Sequence, residues 1–104
     1  MTTATVELIQ PGALKVAGSL EAANAVVIEL QGRDLMSGDN SVAAWQIDLS
    51  GITACSSVGL SVLLCWLRFA KKNSYQLKFI NMSADLFDLA RVSGLDSVLP
   101  LGIE

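Results

Sequence analysis

The stretch from Ile47 to Leu60, which reads IDLSGITACSSVGL, decides the fold of this 104-residue chain. It begins within a short apolar run, Ala44–Leu49, of the kind found in a central strand that is covered on both faces. The Ser50-Gly51 pair then indicates the end of that strand, and we expect Asp48 to support the turn. The Ser56-Ser57 pair stands directly before an apolar segment, where a side-chain oxygen can accept hydrogen bonds from the first N–H groups of a helix. The stretch therefore predicts a strand, a turn and the start of a helix.

The segment after this serine pair is the most apolar part of the chain. Ten of the thirteen residues from Val58 to Ala70 are hydrophobic, and the Lys71-Lys72 pair follows, where positive charge favours the end of a helix. At about 1.5 Å per residue this helix is about 20 Å long, which is too short for the ~30 Å hydrocarbon core of a bilayer. We therefore expect a helix that does not insert into a membrane.

The rest of the chain alternates strands with helices. The pattern predicts strands over Thr5–Leu8, Ala13–Val16 and Gln76–Ile80, and helices over Glu21–Met36 and Ala84–Val92. This order is typical of a single α/β domain over residues 1–104. We expect a mixed, mostly parallel sheet of about four to five strands with three to four helices packed on it, one face of the sheet being better covered than the other.

Two details concern the helices. The first helix is indicated by apolar residues at close to helical spacing: Val26, Val27, Leu30 and Leu35. Ser83 suits the start of the last helix and Gly94 suits its end. A short apolar tail follows over Leu95–Leu101.

The composition excludes several classes of function. The formal net charge is −3, and the chain has no histidine and two cysteines. Without histidine, Ser-His-Asp and Cys-His catalysis are excluded, and two cysteines cannot form an all-cysteine zinc site. Seven basic against ten acidic residues leave no extended cationic stripe for phosphates. We expect no catalytic residue, no metal, no cofactor and no nucleic-acid partner.

The two cysteines, Cys55 and Cys65, stand ten positions apart and are expected to be buried free thiols. A nucleophilic Cys55 is the alternative, because a helix N-terminus can lower the pKa of a thiol. The chain offers no histidine as the base, which disfavours that reading. The first residues lack the basic and apolar segments of a secretion signal, and this favours a cytosolic location.

The apolar helix carries more large side chains than one core-facing stripe requires. If its leucines face inward, Val62, Trp66 and Phe69 point elsewhere, where either neighbouring helices or another protein would cover them. We favour a protein partner, with Trp66 as its first contact, because aromatic residues are enriched at interface hot spots. The predicted partner-binding residues lie on the serine pair and this helix: Ser56, Ser57, Val58, Leu60, Ser61 and Trp66.

The stretch from Asp48 to Leu60 resembles the STAS domain family, in which a strand ending in Asp-Leu-Ser leads through a short hydroxyl-containing turn to an apolar helix. The Lys71-Lys72 pair and the RVSGL sequence at 91–95 add to a resemblance that extends over nearly the whole chain. It implies the fold of that family. Within the family, the chain is most similar to the free-standing subunit of Mla-type phospholipid-transport ABC systems.

This resemblance implies a non-catalytic cytoplasmic subunit, peripheral to the inner membrane. Its partner would be the ATPase of the ABC transporter, within a complex that includes a membrane permease. The subunit would support the lipid transport that maintains outer-membrane asymmetry.

Anti-sigma factor antagonists are a second group of STAS proteins. In them the turn reads Asp-Ser-Ser-Gly, and the residue after the aspartate is phosphorylated. Here Ser57 falls on the acceptor position and Ser56 replaces the acid. A hydroxyl lacks the charge with which a carboxylate helps to organise the turn. An antagonist regulated by phosphorylation of Ser57 is therefore the alternative hypothesis.

Overall fold

The computed structural model describes residues 4–38, 41–92 and 94, and within them four strands alternate with three helices. The strands are β1 (Ala4–Gln10), β2 (Ala13–Leu20), β3 (Ala44–Cys55) and β4 (Gln76–Ile80). The helices are α1 (Ala25–Ser37), α2 (Ser57–Lys72) and α3 (Ala84–Val92). The predicted α/β class and element order are confirmed, and the predicted tail over Leu95–Leu101 lies outside the described residues.

The four strands form one mixed sheet in the order β1-β2-β3-β4. The β1–β2 hairpin is antiparallel, whereas β3 runs parallel to both β2 and β4. Parallel neighbours need a crossover, and α1 and α2 provide the two crossovers. The mostly parallel sheet predicted from the sequence is thus confirmed.

The core lies between one face of the sheet and the helices. Alternate residues of β2, β3 and β4 are buried there, because successive side chains of a strand point to opposite faces. These strand residues are Leu14, Val16, Leu20, Trp45, Ile47, Leu49, Leu77 and Phe79. The other face exposes polar side chains such as Lys15, Gln46 and Lys78, in agreement with the expected open face.

Trp66 is in the core and not on the surface, so the prediction that it points away from the core is wrong. Its side chain is 0% exposed, and its indole Nε1 donates a hydrogen bond to the Glu29 carbonyl oxygen at 2.9 Å. The physical reason is Gly32 of α1. A Cβ placed on that glycine would lie 2.5 Å from the indole ring, so only the missing side chain lets the ring fit against α1. Leu60 and Val62 are also buried.

The exposed face of α1 carries three of the apolar residues whose spacing indicated this helix. Val26, Val27 and Leu30 are exposed. The buried face is formed by other residues at helical spacing: Ala25, Ile28, Gly32 and Met36. Hydrophobic spacing alone does not distinguish these two faces.

The helix α1 begins at Ala25 and not at Glu21, because the preceding residues form a hydrogen-bonded turn. The Glu21 N–H donates to the Asn24 side-chain oxygen at 3.1 Å. The Asn24 amide donates to the Ser19 carbonyl oxygen at 2.8 Å. These two bonds hold Glu21 and Asn24 in the turn, and the helix begins at the next residue.

The central strand β3 continues through Ser50 and Gly51 to Cys55, so the predicted end of the strand is also wrong. Lys15 pairs with Asp48 but Ala17 pairs with Gly51, which leaves one extra residue in β3, a β-bulge. Glycine is required at the bulge because an added Cβ would lie 2.8 Å from the Ala17 Cβ. The residues that indicated a turn therefore form a bulge inside the strand.

The predicted ends of α3 are confirmed. The Ser83 hydroxyl accepts a hydrogen bond from the Leu86 N–H at 3.1 Å, which caps the first turn. Gly94 has a φ of +74° and its N–H donates to the Arg91 carbonyl oxygen at 3.0 Å. Among the helices of the described residues, none is long and apolar enough to cross a membrane.

Candidate protein-docking site

The first turns of α1 and α2 lie at the same edge of the sheet. The helices follow β2 and β3, and these strands are parallel, so both helices start at the carboxyl edge. The Ser56 N–H donates to the Leu20 carbonyl oxygen at 3.2 Å, which ties the start of α2 to the end of β2. Trp66 of α2 packs against Gly32 of α1, so the two helices are direct neighbours.

The start of α2 is exposed to solvent. Ser56 is the N-cap residue, with extended backbone, although no side-chain capping bond is formed there. Ser57, Val58 and Ser61 follow on the outer side of the helix, and the Ser61 hydroxyl bonds the Ser57 carbonyl oxygen at 3.5 Å. Of the six predicted partner-binding residues, Leu60 and Trp66 are buried and cannot contact a partner in this conformation. The other four lie on the surface.

The start of α1 adds an apolar surface that is not among the predicted partner-binding residues. Val26 is 71% exposed, Val27 55% and Leu30 45%. The sequence carries no signal that separates this face from the core face, because the buried residues of α1 recur at the same helical spacing. We define the helix patch as the exposed residues at the starts of these helices: Val26, Val27 and Leu30 of α1 with Ser57, Val58 and Ser61 of α2.

Asp48 supports the strand that leads to α2, as expected from the sequence. Its carboxylate accepts hydrogen bonds from the Ser50 N–H at 2.8 Å and from the Asn81 side-chain amide at 3.2 Å. Burial acts to raise the pKa of Asp48, but the hydrogen bonds from Ser50 and Asn81 and the charge of Lys15 outweigh it, so the pKa is lowered. The ionised carboxylate therefore joins the bulge of β3 to the end of β4.

Replacing Asp48 by asparagine is expected to reduce the free energy of unfolding at neutral pH by roughly 0.5–1.5 kcal/mol, the net value of a hydrogen bond. The folded-state pKa lies below the ordinary value of 3.8. The charged carboxylate therefore stabilises the fold above that value, and its contribution is lost as the pH falls through the lowered pKa. Denaturant titrations of both proteins between about pH 2 and pH 7 measure the difference.

The matched control is Asp34→Asn, which removes an exposed carboxylate of α1. We expect a pH-dependent loss of stability for the Asp48 variant that the control does not reproduce. A difference that stays constant down to the acid end of the titration would contradict a role for the charge of Asp48.

Possible metal ligands and the cysteines are the remaining groups to place among the described residues. No group of three or more acidic, cysteine or histidine side chains among them could hold a metal ion. Cys65 is a free, half-buried thiol, which corrects the expectation of full burial. The side chain of Cys55 lies outside the described residues. The edge presents exposed valine, leucine and serine side chains.

The fold belongs to a recognised class. Residues 4–101 match the family model described as "Mlab, STAS domain", and the chain belongs to the STAS domain family. The structure is similar to that of one chain of the Acinetobacter MlaFEDB complex in an ATP-bound conformation. The TM-score is 0.80 at 24% identity, over 94% of this chain and 99% of that one.

Anti-sigma factor antagonists share the same fold. An antagonist from Mycobacterium paratuberculosis matches with a TM-score of 0.72 at 23% identity, over 100% of this chain and 87% of that one. The antagonist SpoIIAA in its unphosphorylated form matches with a TM-score of 0.72 at 14% identity, over 98% of this chain and 90% of that one. No curated protein matches the chain. At these identities the similarities establish the fold, which both groups share.

Proposed function

We propose that this protein is a non-catalytic subunit that binds and supports the ATPase of an ABC-type phospholipid transport system. The partner would be an MlaF-like ATPase in a complex with a membrane permease, at the cytoplasmic side of the inner membrane. The transport would maintain outer-membrane lipid asymmetry. The observation that carries this proposal is the end-to-end similarity to a subunit of the MlaFEDB complex, which leaves only 1% of that chain unmatched.

The helix patch is the proposed contact with the ATPase. Its valines and leucine would lose solvent contact on binding, which is the main favourable term in most protein association, while the serine hydroxyls would form polar contacts beside them. Docking regulates an ATPase only if the subunit binds one conformation of the ATPase more tightly than another. The difference in binding free energy sets how far the conformational equilibrium of the ATPase shifts.

Replacing Ser57 by arginine is expected to weaken binding to the ATPase about tenfold or more, because a charged side chain would be forced into the contact. The affinity of the purified proteins and the ATP turnover of the complex are the measurements. Ser37→Arg, at the exposed far end of α1, is the matched control and is expected to bind normally. If a folded Ser57→Arg variant binds and activates the ATPase as well as the control does, the helix patch is not the docking site.

The alternative function is that of an anti-sigma factor antagonist regulated by phosphorylation. Ser57 is exposed and is the first residue of α2, where a phosphate of about −1.5 to −2 charge would meet the positive end of the helix dipole. The similarity to SpoIIAA supports this reading as well.

The intact mass of the protein isolated from its own cells separates the two functions. The antagonist hypothesis predicts a fraction heavier by one phosphoryl group, which Ser57→Ala removes, together with capture of a kinase. The subunit hypothesis predicts co-purification of an ABC ATPase, without dependence on a phosphate.

A further inference from the structure

A groove of about 440 Å³ runs between the middle of α1 and the second half of α2. Glu29 and Arg33 line it from α1, and Arg68, Phe69 and Lys72 line it from α2. Its position between the same two helices makes it a continuation of the surface that we propose for docking. A partner that covers the helix patch would therefore reach the groove without leaving these helices.

The charge of the groove is opposite to that of the whole protein. Three of the seven basic residues line it, with a single acid, although the chain carries a net charge of −3. Glu29 pairs with Arg33 one helical turn away. Within the described ranges 4–38 and 41–92, neither Arg68 nor Lys72 has an acidic side chain within ion-pair distance. Two cations at one wall of the groove are thus available to an anionic group.

The part of the groove at Phe69 combines this charge with an apolar surface. Phe69 is half-buried, and its ring meets Tyr75 with 6.0 Å between centroids. The Asn73 amide is already used, because it donates to the Phe69 carbonyl oxygen at 2.8 Å. The groove therefore offers arginine, which binds carboxylates in a two-point geometry, beside an aromatic edge that an apolar side chain can contact.

We propose that this basic groove binds an acidic segment of the partner protein, with carboxylates at Arg68 and Lys72 and an apolar side chain against Phe69. The proposal rests on the proposed function only for the identity of the protein that carries the segment. A peptide suits the site better than a membrane does, because the cations line a concavity between two helices, whereas a flat lipid surface contacts projecting residues. Electrostatic attraction of this kind accelerates association and selects the partner.

The first experiment measures binding of a fluorescein-labelled peptide, Glu-Leu-Glu-Glu-Leu-Glu, by fluorescence polarisation at low and high salt. The wild-type protein is expected to bind this peptide and not Lys-Leu-Lys-Lys-Leu-Lys, and salt is expected to weaken binding. The double variant Arg68→Glu/Lys72→Glu is expected to lose about tenfold or more in affinity. Lys71→Glu/Lys78→Glu makes the same charge change outside the groove and is expected to bind the peptide like the wild type.

The milder variant Arg68→Gln/Lys72→Gln keeps the test valid if charge reversal disturbs folding, which circular dichroism checks. Absence of peptide binding to the wild type, or equal loss in the Lys71/Lys78 control, overturns the proposal. Vesicles containing phosphatidylglycerol or only phosphatidylcholine are measured in parallel. Binding of phosphatidylglycerol vesicles that requires Arg68 and Lys72, without peptide binding, would assign the groove to lipid and also overturn it.

The same variants are then measured against the ATPase. If the wild type binds the ATPase and the groove variant binds equally well, the groove proposal fails while the proposed function stands. If the acidic peptide binds in the groove but no ATPase binds the wild type, the proposed function fails. The proposal that the groove binds an acidic segment then still stands. Weaker ATPase binding by the groove variant alone supports both.

Discussion

Replacing Trp66 by alanine is expected to lower the free energy of unfolding by about 3–5 kcal/mol, the range for a buried aromatic side chain. The indole is fully buried in the cluster that joins the sheet to α1 and α2. Its removal leaves a cavity against Gly32, which has no side chain to fill the space. Chemical denaturation followed by far-ultraviolet circular dichroism measures the loss.

The variant Trp66→Phe separates packing from hydrogen bonding. It keeps an aromatic ring but removes the Nε1–H donor to the Glu29 carbonyl oxygen, so we expect a smaller loss, about 1–2 kcal/mol. Because Trp66 is buried, this variant is also expected to bind the ATPase normally under the proposed function. A loss of ATPase affinity in folded Trp66→Phe, comparable to that of Ser57→Arg, would restore Trp66 as a contact residue and contradict its buried position.

Replacing Gly32 by leucine is expected to destabilise the protein by about 2–3 kcal/mol, near the upper end of overpacking effects. Leucine has a higher helix propensity than glycine by up to about 1 kcal/mol, so local preference alone predicts the opposite sign. The packing effect prevails because an added Cβ meets a rigid, buried indole at 2.5 Å and not a flexible side chain. Thermal or denaturant unfolding decides the sign.

Two further variants control this prediction. Gly38→Leu places the same side chain at the end of α1, where the backbone is helical and the nearest atom lies 3.4 Å from the added Cβ. We expect a change within about 0.5 kcal/mol there. In the double variant Gly32→Leu/Trp66→Ala the leucine can occupy the cavity, so the two losses are expected to sum to more than the measured effect. Strict additivity would show that the two residues do not share one space.

The element order could be predicted because it depends on local patterns. The apolar run of α2, the cap at Ser83, the glycine at 94 and the support from Asp48 all act within a few residues of their own position. The continuation of β3 past Gly51 could not be predicted, because it depends on Ala17 in the neighbouring strand. A Ser-Gly pair favours a turn and a bulge alike, and the register of the sheet decides between them.

The candidate site was predicted only in part, for a related reason. The exposed serines at the start of α2 follow from their position before an apolar helix. Which large apolar residues face outward depends on how α1 crosses α2, and Gly32 determines that crossing through its missing side chain. As a result, Trp66 is buried, whereas Val26 and Val27 are exposed at the surface. The spacing of apolar residues along α2 does not show that α1 lacks a side chain at Gly32.

The central strand is unequally supported along its length. From Ala44 to Asp48 it is paired with β4, and within the described residues its continuation from Gly51 is paired with β2 alone. Backbone amides in the first half should resist exchange with deuterated water up to the stability of the whole domain, whereas those in the second half can exchange through smaller local openings. That second half leads directly into α2. The end of the molecule that is proposed to meet the partner is thus the end that can fluctuate while the core stays folded, and a bound partner should slow exchange there first.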